Sequence, residues 1–116
     1  MKKSVSSLSN MELNYMVAKV DAILYMRDTQ GNVLEIDKDL NVYARTADSR
    51  MYHYCPSTEW RQGGPLIEKY GISVQRTGSE WTADIDRVMV ATGPTPLVAA
   101  MRALVMLKRG SMVEID

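Results

Sequence analysis

The chain has 116 residues, and its fourteen Lys and Arg residues balance fourteen Asp and Glu residues, so its net charge at neutral pH is zero. This length and an apolar fraction of 46% predict one domain, residues 1–116, with a real core. A nucleic-acid-binding domain usually carries a basic excess, because neutralising phosphates supplies much of its affinity, so the charge balance disfavours nucleic acid as a partner.

The first predicted element is a helix over residues 10–21. Ser9 and Glu12 have the spacing of a capping box, in which each residue's side chain accepts from the backbone N–H of the other. Apolar residues from Leu13 onward then recur at the spacing of one buried helix face. We expect residues 1–8, before this helix, to be flexible.

Four short strands are predicted next, because apolar or alternating runs are separated by turn residues. They span residues 22–27, 33–37, 40–45 and 51–54. Their edges are free to pair with a second copy of the chain. We therefore expect a homo-oligomer, although the sequence does not determine the number of subunits.

A short helix from about residue 65 to residue 69 is predicted in the middle of the chain, with an earlier start near Ser57 left open. Pro65 has the residue type that is favoured in the first turn, and Gly71 can take the left-handed conformation that ends helices. The preceding residues, Trp60 to Gly64, are then expected to form a loop.

The last part of the chain predicts a hairpin followed by a helix. Residues 72–76 and 81–85 alternate apolar and polar side chains, and residues 87–91 extend this region or add a strand. Thr95 is the predicted N-cap of the final helix, and Gly110 ends it. The elements together predict an α+β fold, an antiparallel β-sheet with N- and C-terminal helices packed mainly on one face.

The order and spacing of several short blocks resemble the NinX-like family of small phage and prophage proteins of unknown function. The blocks are Tyr54-Cys55, Trp60, Pro65-Leu66-Ile67-Glu68, Ile72-Ser73-Val74, Trp81-Thr82-Ala83 and residues 96–107, with an opening helix similar to residues 8–14. The resemblance implies a phage accessory protein that acts in the cytoplasm of an infected bacterium. It brings no catalytic residues.

One block departs from the family's pattern. The family's tryptophan is followed directly by proline, whereas Arg61-Gln62-Gly63-Gly64 intervene between Trp60 and Pro65 here. We therefore expect the function of this segment to differ from that of the family.

Signatures of catalysis are weak in this chain. His53 and Cys55 lie two residues apart, which allows a Cys–His dyad, but no third group that would orient the histidine is evident. Two such ligands are too few for a zinc site, and the sequence holds no Walker loop or dinucleotide fingerprint. We expect no enzyme activity, no cofactor and no metal. The residues after Met1-Lys2-Lys3 are mostly polar, so we expect no secretion. The longest apolar run, Leu97 to Leu107, is interrupted by Arg102 and is too short to span a bilayer, so we also expect no membrane insertion.

Two segments are candidates for ligand binding. Thr92, Gly93 and Thr95 open the final helix, whose N-terminal N–H groups favour phosphates and carboxylates. The donors would be the Leu97 and Val98 amides, unless Thr95 simply caps its own helix.

The second candidate is the predicted loop, whose residues suit a ring and an anion. Trp60 can stack on a base, Arg61 can pair with a phosphate, and Gly63 and Gly64 let the backbone approach closely. Tyr54 is close enough in sequence to line the same site.

Binding is therefore the predicted mode of action. The leading hypothesis is a phage protein that counteracts a host defence, either by sequestering a nucleotide-like signalling molecule or by blocking a host protein. The alternative is an accessory factor in phage DNA metabolism or gene regulation that binds nucleic acid or protein.

Overall fold

The computed structural model describes residues 1–21, 28 and 30–115, and these form three α-helices and eight β-strands. The α+β class is confirmed. The helices are α1 (Asn10–Asp21), α2 (Trp60–Tyr70) and α3 (Pro96–Arg109). The strands are β1 (Lys2–Ser4), β2 (Val33–Ile36), β3 (Val42–Arg45), β4 (Met51–His53), β5 (Ile72–Thr77), β6 (Glu80–Ile85), β7 (Met89–Gly93) and β8 (Met112–Glu114).

The strands form three separate antiparallel sheets among the described residues, rather than the single sheet that was predicted. Their orders are β1–β8, β2–β3–β4 and β5–β6–β7. The predicted hairpin is confirmed, with Ile72 opposite Ile85 and Val74 opposite Ala83. The strand predicted over residues 22–27 lies outside the described residues.

Helix α3 organises the core. It packs across β5, β6 and β7, and α1 packs against α3 and touches β3. The contact face of α3 carries small residues, since Ala99, Ala100 and Ala103 are completely buried and allow close approach. The predicted placement of the two helices on a common face of the sheet is not confirmed.

The predicted boundaries of the outer helices are confirmed in atomic detail. The Ser9 amide donates to Glu12 Oε1 at 3.0 Å, and the Glu12 amide donates to Ser9 Oγ at 3.1 Å, which is the capping box. Thr95 Oγ1 accepts from the Val98 amide at 3.1 Å, and Gly110 follows the last residue of α3. The capping residues are only three positions apart, so both helix starts can be predicted from the sequence.

The N-terminal residues make contacts that were not predicted from the sequence. Strand β1 pairs with β8, from the other end of the chain. Lys3 Nζ also lies 2.6 Å from Glu12 Oε2, which ties β1 to the first turn of α1. The pairing of the two chain ends places Val5 and Leu8 in the core.

Helix α2 is longer than predicted, and the expected loop over Trp60 to Gly64 is wrong. The helix begins at Trp60, contains Pro65 and ends at Gly71, which adopts the left-handed conformation (φ 61°, ψ 44°). Gly63 is required by packing rather than by a turn. A Cβ there would overlap the Pro56 carbonyl oxygen and lie 2.6 Å from Leu97 Cδ2.

The two adjacent glycines of α2 therefore differ in what alanine would do. Gly63→Ala is expected to lower the free energy of unfolding by about 1–3 kcal/mol, because backbone must move to admit the methyl group. Gly64→Ala is the matched control. The nearest atom to its new Cβ is Trp60 Cε3 at 4.0 Å, so it should raise stability by about 0.5–1 kcal/mol through helix propensity. Urea denaturation measures both, and equal effects would contradict the packing role of Gly63.

Candidate functional site

All three helices begin at one cleft. Asn10, Trp60 and Pro96 are the first residues of α1, α2 and α3, and each of them lines a cleft of about 260 Å³. The remaining lining residues come from the segment before α2 and from the β7–α3 junction: Ser57, Thr58, Pro94, Thr95, Leu97 and Val98. We call this site the helix-start cleft.

Hydrogen bonds hold the segment before α2 at the cleft. The Ser57 amide donates to the side chain of Asn14 at 3.0 Å, which ties the segment before α2 to α1. The Cys55 carbonyl accepts from the Thr58 and Glu59 amides, which folds the chain into a turn just before α2.

The β7–α3 junction is fixed by a second glycine. A Cβ on Gly93 would lie 2.8 Å from the Ala99 amide nitrogen and 3.0 Å from Val98 Cγ1. Gly93 therefore lets the end of β7 lie directly against the first turn of α3. This contact holds Pro94 and Thr95 at the cleft.

None of the residues that line the helix-start cleft is charged, so its electrostatic character depends on the helix N-termini. The first amides of a helix lack intrahelical partners, and each helix N-terminus carries the equivalent of roughly half a positive charge. The Val98 amide is used by the Thr95 cap. The Leu97 amide has no hydrogen-bond partner within residues 1–21, 28 and 30–115. The N-terminus of α1 is already occupied by the Glu12 carboxylate of its capping box. The N-termini of α2 and α3 at this cleft are the ones that favour an added anion.

Ser57 contributes a buried hydroxyl without a hydrogen-bond partner to the lining of the cleft. Its side chain is 1% exposed, and its Oγ has no hydrogen-bond partner in the described part of the chain. A buried hydroxyl without a partner is unfavourable by about 1–3 kcal/mol. A ligand oxygen that accepts from Ser57 would remove this deficit.

Trp60 gives the cleft an aromatic wall. Its side chain is 55% exposed, although it is the largest residue type in the chain. Pro94, Pro96 and Leu97 add apolar surface beside it. The cleft thus combines a stacking surface with hydrogen-bond donors, which is the usual composition of a small-molecule site.

The structure unites two candidates that the sequence presented separately. Trp60 and Thr95 line the same cleft, although 35 positions separate them. Thr95 caps its own helix, as the simpler interpretation predicted, and its hydroxyl hydrogen is still available to a ligand. Thr92 and Gly93 precede the cleft in β7, and the Thr92 carbonyl accepts from Arg102 at 2.9 Å.

Other predicted residues lie elsewhere. Arg61 lines a separate hollow of about 120 Å³ with Gln30, Asn32, Tyr52 and Gln62. Gly63 is buried at the contact with Pro56, and Gly64 borders an open groove beside Lys69.

Tyr54 is a core residue rather than a cleft residue. Its side chain is 2% exposed and borders a different hollow, of about 140 Å³. Burial, with Asp21 and Asp28 nearby, raises the pKa of its hydroxyl far above the usual range, so Tyr54 stays protonated.

The residues considered for catalysis lack the expected activation. Burial and the neighbouring Glu59 carboxylate raise the pKa of the Cys55 thiol, whereas a nucleophilic cysteine needs a lowered pKa. His53 packs against the Tyr43 ring, with 4.8 Å between ring centroids. Within the described residues, no three His, Cys, Asp or Glu side chains are grouped to hold a metal. In the same part of the chain, no helix has both the length and the apolar character needed to cross a membrane.

Several cleft residues were missed by sequence reasoning. Asn10, Ser57 and Thr58 were not proposed, because the cleft is assembled from three distant segments. Only the possible helix start near Ser57 pointed in this direction. Had α2 been extended to that point, its N-terminus would have been a second anion-site candidate beside that of α3.

The fold and the cleft define a small α+β protein with a ligand-sized, uncharged cleft at its helix N-termini. The family model described as "Bacteriophage P22, NinX" matches residues 4–108. The chain therefore belongs to the NinX family of phage proteins, as the resemblance indicated. A comparison with curated proteins gives no match.

Removing the hydroxyl of Ser57 and removing that of Thr95 should have different effects on the free energy of unfolding. Ser57→Ala deletes a hydroxyl without a partner, so the free energy of unfolding should stay constant or rise by about 1 kcal/mol. Thr95→Ala deletes the N-cap of α3 and should lower it by about 0.5–2 kcal/mol. Thermal or urea denaturation of both variants measures the difference. A clear loss of stability in Ser57→Ala would show that its hydroxyl has a structural partner.

Proposed function

We propose that this protein acts by binding rather than by catalysis, and that it sequesters a nucleotide-like signalling molecule of a bacterial host defence. The phage family supplies the setting, an infected bacterium whose cytoplasm holds such signals. The observation that carries the proposal is the convergence of three helix N-termini on a cleft that also contains an exposed tryptophan.

The chemistry of the cleft matches the two parts of a nucleotide. A base is flat and aromatic, and stacking on an aromatic side chain is worth about 1–3 kcal/mol per base. A phosphate accepts hydrogen bonds, and the Leu97 amide and the Ser57 hydroxyl are donors without partners among the described residues.

The size of the cleft limits the ligand. Its volume of about 260 Å³ lies just below the usual range for small-molecule sites, about 300–1,000 Å³. A single nucleotide unit fits this scale better than a long oligonucleotide does. The balanced charge of the chain also argues against a nucleic-acid partner.

The raised pKa of Cys55 supports a non-catalytic role. A sequestering protein needs only affinity and abundance, and the cleft offers no group that is activated for bond cleavage. A homo-oligomer remains our expectation, because strand β4 presents Met51 and Tyr52 at an exposed sheet edge.

The direct test is calorimetry against a panel of nucleotides and cyclic nucleotides, with Trp60→Ala beside Arg61→Ala. Trp60→Ala is expected to weaken binding by about 1–3 kcal/mol, roughly 5- to 150-fold. Arg61 is the neighbouring residue but lines a different hollow, so Arg61→Ala should leave the affinity unchanged. Equal losses in the two variants would remove the cleft as the site, and absence of any binding would refute the sequestration of a nucleotide.

The same variants test the role in infection. The wild-type protein should restore phage plating on a host that carries a nucleotide-signalling defence, and so should Arg61→Ala. Trp60→Ala should not. Restoration by Trp60→Ala at equal protein levels would separate the anti-defence activity from the cleft.

A further inference from the structure

We infer that the ligand of the helix-start cleft carries a single negative charge, as in the phosphodiester of a cyclic nucleotide, and that polyphosphates bind much more weakly. This inference rests on the proposed function, since it specifies the chemical class within the nucleotides. The preference for one negative charge follows from the residues around the hydrogen-bond donors of the cleft.

The cleft contains donors but no cation. Its nine lining residues are uncharged. Binding sites for di- and triphosphates neutralise several charges with Lys, Arg or Mg²⁺. No Lys or Arg lines this cleft, and no group of three or more His, Cys, Asp or Glu side chains that could hold a metal occurs within residues 1–21, 28 and 30–115. Helix N-termini are different, because each offers only about half a charge, and this potential falls off within the first turn. The N-termini of α2 and α3, which are not occupied by a capping-box carboxylate, together supply roughly one positive charge, which matches a monoanion.

A negative charge adjoins the lining residues in the chain, although it is not itself one of them. Glu59 lies between Thr58 and Trp60, which both line the cleft. It occupies the N-cap position of α2, and its side chain makes no capping hydrogen bond. Glu59 is exposed at the start of α2. Each additional ligand charge would interact unfavourably with it.

Ser57 indicates where the single phosphate lies. Its hydroxyl is buried and has no hydrogen-bond partner in the described part of the chain. Ser57 belongs to the short segment that immediately precedes α2. The unpartnered Leu97 amide approaches the same cleft from α3. A phosphodiester has two non-bridging oxygens, so one oxygen can accept from each side while the base contacts Trp60.

The test compares ligands that share adenine but differ in charge. Calorimetry with 3′,5′-cyclic AMP, 5′-AMP and ATP is performed at pH 7.5, at constant ionic strength and with EDTA. Cyclic AMP should bind at least about tenfold more tightly than ATP, because its one charge is compensated by the helix N-termini. Equal or tighter binding of ATP would overturn the inference and leave the proposed function standing. If neither these ligands nor their guanine counterparts bind, both proposals fail.

A change of pH separates charge from shape. The second pKa of a phosphomonoester is about 6, so 5′-AMP changes from mainly a dianion to mainly a monoanion between pH 7.5 and pH 5.5. Its affinity should rise by roughly tenfold over this range, whereas that of cyclic AMP should stay constant. A constant affinity for 5′-AMP would contradict selection by charge. The constancy of cyclic AMP binding controls for changes in the protein.

Glu59 and Glu68 provide a matched pair of charge-removing variants. Glu59→Gln should narrow the ratio between cyclic AMP and ATP affinity by about two- to fivefold, because one repulsive charge is removed. Glu68→Gln removes the same charge from an exposed position on the same helix, beside Lys69 and away from the cleft, and should leave the ratio unchanged. Identical effects of the two variants would assign the discrimination to net charge rather than to the cleft.

Discussion

The close approach of backbones at Gly63 is the contact on which the cleft depends. Helix α2 passes so near to the Pro56 carbonyl and the Leu97 side chain that no Cβ fits between them. This contact holds the start of α2 against the segment that contains Ser57 and against the first turn of α3. Asn14 adds α1 through its hydrogen bond to the Ser57 amide. Three helix N-termini can therefore share one small volume.

Local signals made much of the fold predictable. The capping box of α1, the Thr95 cap of α3 and the alternation in β5 and β6 depend on residues that are close in sequence. The length of helix α2 was underestimated, because its glycines and its internal proline are typical of a loop. Gly63 is needed by a tertiary contact that composition cannot reveal. The β1–β8 pair joins opposite chain ends, and three-residue strands carry almost no pattern.

The candidate site was predictable only in pieces. The N-terminus of α3 and Trp60 were identified because helix caps and exposed aromatic residues have recognisable types. Their meeting in one cleft depends on the packing of α2 against α3, which involves residues far apart in the chain. Arg61 illustrates the limit of sequence reasoning. It is adjacent to Trp60, yet the helix directs the two side chains to different hollows.

The central claim is that the helix-start cleft is the ligand site. An NMR titration of ¹⁵N-labelled protein with cyclic AMP tests this claim most directly. The largest chemical-shift changes should occur at the Leu97 amide, the Ser57 amide and the Trp60 indole N–H, which belong to residues that line the cleft. The signals of Tyr52 and Gln62, which line the neighbouring hollow, should change little. Shifts concentrated at that hollow or around Tyr54, with the cleft signals unmoved, would contradict it.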